Sequence, residues 1–180
     1  MRRAILLCLG ILLFTWLGFR FFPGHTYLQA DTQIYLPILE RLDSPGYLSR
    51  DLVATRPHVA FTIYDEVTLS LHRVAHLNFE AALIGQQLLF RAAGMWGIYL
   101  SATAAEVPAL YAFLIAAFYN LGAALLGPAV LTVEYEPVPR GFAAALILLA
   151  LGAIAHRKFL GAGIAAGLAF LYHPPTTAPF

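Results

Sequence analysis

AALIGQQLLFRAAGMWGIYLSATA, residues 81–104, is an apolar run interrupted only by Gln86, Gln87 and Arg91. It exceeds the ~20 residues that a helix needs to cross a hydrocarbon core, so its reading decides the fold. Four further runs flank it: Ala4 to Phe22, Pro108 to Val130, Gly141 to Ala155 and Phe159 to Tyr172. The last two are short, and basic or aromatic flanks make spanning plausible for them. Runs of that length also occur as buried core helices, but no soluble amphipathic segments are present to bury them. The chain is 60% hydrophobic and 12% charged, against roughly 25% charged in an ordinary soluble domain. The expectation is an all-α polytopic bundle of five spans forming one membrane domain, with a large outer loop over residues 23–80.

Charge and cysteine content remove other classes. A net charge of +1, with basic residues scattered or at segment ends, offers no footprint for nucleic acid. Cys8 is the only cysteine, so an intrachain disulfide and a cysteine metal cluster are both excluded. The basic head Met1-Arg2-Arg3 and the apolar body behind it could form a cleaved signal. The body is longer than a usual signal core and reaches only a poor small-residue site at Leu28-Gln29-Ala30, which favours an uncleaved anchor.

Positive loops stay cytoplasmic. Five crossings put Arg2-Arg3 and His156-Arg157-Lys158 on that inner side and the acidic loop TVEYEPVPR, residues 132–140, on the outer side. The N-terminus is then cytoplasmic and residues 23–80 are periplasmic or extracellular. Within that loop Asp31 can cap a helix carrying Ile34, Tyr35, Ile38, Leu39 and Leu42, which Ser44-Pro45-Gly46 stops. A second helix after Arg56-Pro57 carries Val59, Ile63, Val67, Leu71 and Val74 on one side and Asp65, His72 and His76 on another, the pattern of a helix resting on a bilayer. Gly163 and Gly167 form a small face suited to a close helix neighbour.

The order of these segments carries a resemblance. An N-terminal anchor leads to an outer loop with ADTQIYLPILERLDSP and SRDLV, then to the outer YEPVPRGFAAAL and the terminal LGAGIAAGLAFLYHPPT. The layout resembles uncharacterised bacterial multi-pass proteins related to the glycosyltransferase C superfamily, whose members use polyprenyl-phosphate sugars. The resemblance implies a bacterial inner-membrane transferase that moves a sugar from that carrier to an acceptor on the outer face. It implies catalytic acids on the first outer loop, with Asp31 the best positional match and Asp51 the second. Such a carboxylate deprotonates an acceptor hydroxyl or holds a divalent cation against the donor phosphate. No Asp-x-Asp pair is present, and Asp65-Glu66 is adjacent rather than alternating. Because the superfamily carries more spans than five, the resemblance also implies an N-terminal fragment whose last helices want partner helices.

Each candidate has a structural reading beside the functional one. Asp31 suits a helix cap, and Asp51 a turn. His72 and His76 are one helical turn apart, yet His-Arg-Val-Ala-His lacks the glutamate of a zinc-hydrolase motif, so interfacial solvation is the reading preferred there. Arg91 lies near mid-bilayer, where an unpaired arginine costs ~2.5–3.5 kcal/mol. It holds a substrate phosphate, pairs with Glu80 or Glu134, or marks a helix that begins later than drawn. Glu134 and Arg140 form an outer ion pair with Glu136 nearby, or Arg140 meets an anionic headgroup at a helix N-terminus. His173 ends the fifth span and either serves that outer site or sits at the interface. A non-catalytic scaffold or partner subunit is the rival function, and a transporter segment using Gln86, Gln87 and Arg91 is a third.

Overall fold

The computed structural model describes residues 2–29, 31–55, 62–122, 124–125, 130–131 and 133–179. Among them the chain is all-helical apart from one two-residue strand pair. In chain order come α1 (Arg2–Arg20), α2 (Thr32–Asp43), α3 (Tyr64–Ala75), α4 (Phe79–Ala104), α5 (Ala109–Asn120), α6 (Pro139–Ala155), α7 (Phe159–Tyr172) and α8 (Pro174–Thr177). Strands β1 (Ala124–Leu125) and β2 (Val130–Leu131) pair antiparallel between α5 and α6.

Helices α1, α4, α5, α6 and α7 alternate in direction. At one end Arg3 of α1, Tyr99 of α4 and Ala109 of α5 line a common groove, and His156 at the end of α6 reaches Leu100 O (2.9 Å) and Thr103 Oγ1 (3.0 Å) of α4. At the other end Asn120 donates to Thr15 Oγ1 across 3.4 Å, and Tyr172 donates to Gln86 Oε1 across 3.0 Å. Helices α2 and α3 cover this second end. Every acidic residue except Glu106 belongs to segments at that end, whereas Arg2, Arg3, Arg157 and Lys158 gather at the first.

Helix α4 is the axis of the molecule. On its flank toward α6, glycines replace side chains: a Cβ on Gly97 would lie 2.3 Å from Leu148 O, and one on Gly152 2.5 Å from Gly97 O. Backbones this close gain dispersion contact along their length, as small residues permit in apolar bundles. The close-packing glycines are therefore these, and not Gly163 and Gly167, whose Cβ positions meet nothing within 4 Å. Helix α7 instead packs through the stripe Ala162, Ala165, Ala169 and Tyr172. Two apolar clusters result. One joins Leu39, Tyr64, Leu83, Phe142 and Tyr172 at the acidic end, and the other joins Ile11, Met95, Ala116 and Ala117 deeper in the bundle.

Helix α1 is the one helix among the described residues that is both long and apolar enough to cross a membrane. Helices α5, α6 and α7 are apolar but have only 12, 17 and 14 residues. The run 108–130 is not one continuous helix: α5 ends at Asn120, and Gly122 follows with φ +77°, a backbone state that breaks a helix and that glycine adopts freely. Helices α2 and α3 also differ from expectation. The buried residues of α2 are Thr32, Leu36, Ile38 and Leu39, while Ile34 and Leu42 are exposed. Helix α3 buries Tyr64 and Thr68, with Ile63 and Val67 packed beside them on the bundle core, so much of its apolar side is covered by protein. Arg56, Pro57 and Val59 lie outside the described residues.

Candidate functional site

An irregular segment enters the bundle between the ends of α4 and α6. Val133, Glu136 and Val138 are buried, and Pro137 and Pro139 are fully covered. Non-helical backbone at such depth persists only when protein groups satisfy its carbonyls. The polar residues of the apolar helices do so. Arg91 Nη2 donates to Glu134 O (2.8 Å) and Gly24 O (2.7 Å). Gln87 Nε2 donates to Tyr135 O (2.9 Å) and to Glu134 O (3.4 Å), the backbone N–H of Thr26 donates to Tyr135 O, and the Tyr64 hydroxyl donates to Pro137 O (2.9 Å). Pairing of Arg91 with an acid takes this form: it meets the backbone of Glu134, not its carboxylate.

The same segment captures the loop that leads into α2. Asp31 precedes α2, but its side chain makes no cap hydrogen bond. The cap comes from Glu136, whose Oε2 accepts from Thr32 N and Thr32 Oγ1, both at 3.2 Å. A distant carboxylate at the positive end of α2 does the work of a local cap. Asp31 Oδ2 is freed to accept from Arg140 Nη1, while Arg140 Nε donates to Glu134 Oε2 at 2.8 Å. Arg140 stands in the first turn of α6, where the helix dipole disfavours a cation, and the two carboxylates offset that. Half of its side chain is exposed, so this triad contributes at most about 1 kcal/mol to stability.

Beneath Arg140 lies a cavity of about 260 Å³ whose walls include Gln87, Phe90, Arg91, Asn120, Glu136 and Phe142. Arg91 is 5% exposed, and its Nε and Nη1 have no hydrogen-bond partner among the described residues. Its guanidinium carbon is 5.5 Å from the centre of the Phe19 ring, a cation–π contact. A buried cation with unmet donors on a cavity wall is suited to an anion. Thr176 also borders this cavity. It donates its backbone N–H to His173 Nδ1 (3.2 Å), and its hydroxyl lies 2.6 Å from the same nitrogen. Burial, followed by the positive charge of Arg140, pushes the His173 imidazole below its ordinary pKa.

The structure thus brings together Asp31, Arg91, Glu134, Arg140 and His173, and leaves out Asp51. Asp51 Oδ1 accepts from Val53 N (2.8 Å) and Ala54 N (2.9 Å), closing a local turn. His72 and His76 are also elsewhere: His72 stacks on Phe79 and approaches Asp43, and His76 ends α3 in a left-handed conformation. The residues fit a divalent cation poorly, because Arg140 already stands between the carboxylates of Asp31 and Glu134, and no group of three metal-binding side chains occurs among the described residues. Asn120 and the capping role of Glu136 were not foreseen. A lone asparagine closing an apolar run was the available signal for the first, and nothing local announces a cap 104 residues away. No family model matches this chain, and neither a curated protein nor a solved structure does.

Proposed function

We propose that this chain is a multi-pass membrane protein whose five alternating helices cross the bilayer with the N-terminus cytoplasmic, and that its acidic outer end binds the headgroup of a polyprenyl-phosphate sugar for glycosyl transfer. Membrane residence is supported by the apolar side chains turned outward, among them Leu6 on α1, Phe118 on α5 and Leu160 on α7, 61%, 75% and 81% exposed. The end that holds Arg2, Arg3, Arg157 and Lys158 has Glu106 as its one acid, whereas the other end mixes nine acids with Arg20, Arg41, Arg73 and Arg140, and this asymmetry supports the orientation.

The observation that carries the transferase reading is Arg91, nearly buried, with two N–H groups unmet on the wall of a cavity that Arg140 also lines. Two guanidinium groups suit a phosphate. Asp31 reaches the mouth of this cavity only through Arg140. A phosphate that drew Arg140 away would leave the Asp31 carboxylate free to take the acceptor proton. Membranes containing the protein are expected to transfer label from polyprenyl-phosphate sugar to an outer-face acceptor, and Asp31→Asn to lose that transfer while still binding the donor. Unchanged transfer by Asp31→Asn would remove Asp31 from the chemistry.

The scaffold reading keeps one specific support: the Glu136 cap and the Asp31–Arg140–Glu134 triad clasp two loops together. Absence of transfer with normal folding would favour it. The transporter reading has less behind it, because past Arg91 the buried wall of α4 continues as Gly94, Met95 and Gly97, packed on neighbouring helices.

A further inference from the structure

The residues of the cavity wall carry an unmet acceptor as well as unmet donors. Gln87 cannot have its amide reversed, because its Nε2 donates to two backbone carbonyls, which a carbonyl oxygen could not do. Its Oε1 is therefore fixed as an acceptor, and it has no partner among the described residues. Asn120, 1% exposed at the end of α5, also has one amide atom unmet: Nδ2 donates to Thr15 Oγ1 and Oδ1 has no partner among the described residues, and because a hydroxyl donates as well as accepts, the reversed amide would leave Nδ2 unmet instead. Gln86 is an internal control one residue away. It does not line the cavity, and both ends of its amide are met, by Tyr172, Thr68 and Ala82.

Buried acceptors without donors cost ~1–3 kcal/mol each, and native structures retain few of them. Here the unmet Gln87 acceptor, one unmet amide atom of Asn120 and the unmet Nε and Nη1 of Arg91 all belong to residues of one cavity wall. A bare phosphate meets only the arginine. A neutral sugar meets only the amides and leaves the cation without a counter-charge. A sugar carrying a phosphate ester meets both, and the Phe90 and Phe142 rings on the same wall, 4.8 Å apart, offer apolar faces to its C–H groups. These atoms have almost no surface open to water, within the cavity or outside it, so a ligand engages them only after small rotations of the terminal side-chain torsions.

We propose that Gln87 and Asn120 are the residues that select for hydroxyl groups in this cavity, Gln87 as an acceptor and Asn120 through its unmet amide atom, by hydrogen bonds to the sugar ring of a phosphosugar whose phosphate lies against Arg91. The inference rests on the reading of the cavity as the seat of a phosphate-linked sugar, and it adds which residues discriminate one sugar from another.

The test is calorimetric titration of the full chain in lipid nanodiscs with a panel of aldose 1-phosphates, inorganic phosphate and the free aldoses. The best aldose 1-phosphate is expected to bind about tenfold or more tightly than either phosphate or its own sugar, equivalent to ~1.4 kcal/mol. Asn120→Ala should reduce that preference to about twofold and leave phosphate binding unchanged. Equal binding of phosphate and every aldose 1-phosphate would overturn hydroxyl selection while leaving an anion site at Arg91. Retention of the full preference by Asn120→Ala would remove Asn120 from it. Binding of none of these probes would overturn both this inference and the phosphosugar reading beneath it. Should Asn120→Ala fail to fold, the ranking of probes by the unaltered chain decides.

Discussion

Helix α4 meets its surroundings in two unlike ways along its length. Toward the basic end it touches α6 backbone to backbone, with Gly97 against Leu148 and Gly152. Toward the acidic end the donors of Gln87 and Arg91 reach an irregular segment lodged between the helices. One helix thus solves the same burial problem once by removing side chains and once by supplying donors. The first solution is tight and apolar. The second leaves unmet polar atoms and a cavity, which is where binding chemistry has room to operate.

The contrast is broken most severely at the tight half. A Cβ on Gly97 would overlap the backbone of Leu148, and backbone cannot rotate aside as a side-chain tip can. Gly97→Val is expected to lower stability by about 3 kcal/mol or more, read as the midpoint of a denaturant titration in detergent, whereas Gly163→Ala, in open space, should change it little. Equal effects at the two glycines would show that α4 and α6 do not cross as closely as described.

The polar half should be softer. Arg91→Met removes one donor from Gly24 O and one from Glu134 O, and leaves the latter with the longer bond from Gln87. It also removes a buried cation whose other nitrogens are unmet. The expected loss is about 1–3 kcal/mol, together with faster proteolysis within residues 133–138, and a variant as resistant as the parent would show that the segment does not depend on Arg91. Tyr64→Phe deletes a single neutral hydrogen bond to Pro137 O and should cost about 1 kcal/mol by the same denaturant measurement.

The two halves were not equally legible. Helical class, the limits of α7 and nearly those of α4 and α6 follow from apolar runs bounded by Pro, His, Arg and Lys, because their register is local. The end of α5 was missed because Leu121 and Ala124 to Leu126 keep the run apolar while Gly122 turns the chain. Composition averages over such a turn, and a positive φ does not. At the site, Asp31, Arg91, Glu134 and Arg140 stood out as charges beside apolar runs. What could not be read was their pairing. Whether Asp31 caps its own helix depends on Glu136, which arrives through tertiary packing to take that place. Asp51 has the same residue type in the same loop, and its local turn holds it away from the others.

The mildest way to sharpen the contrast uses pH at a carboxylate of the acidic end that belongs to neither the triad nor the cavity. Burial pushes the Asp65 carboxyl up to about 7, with the hydrogen bond and charge of adjacent Glu66 adding to it, and its Oδ1 is buried with no hydrogen-bond partner among the described residues. The folded chain therefore holds this proton more tightly than the unfolded chain, whose carboxyl keeps the ordinary value of 3.8. Between those two values the folded state binds more protons, so stability falls as pH rises from about 4 to about 7 and changes little from this group outside the window. Because Asp65 is only partly buried, solvent reduces the effect, and less than ~1 kcal/mol is expected. Asp65→Asn should flatten that slope in denaturant midpoints measured across the window. The same slope in Asp65→Asn as in the parent would assign it to another group, and a slope of opposite sign would mean that Asp65 is stabilised as its anion.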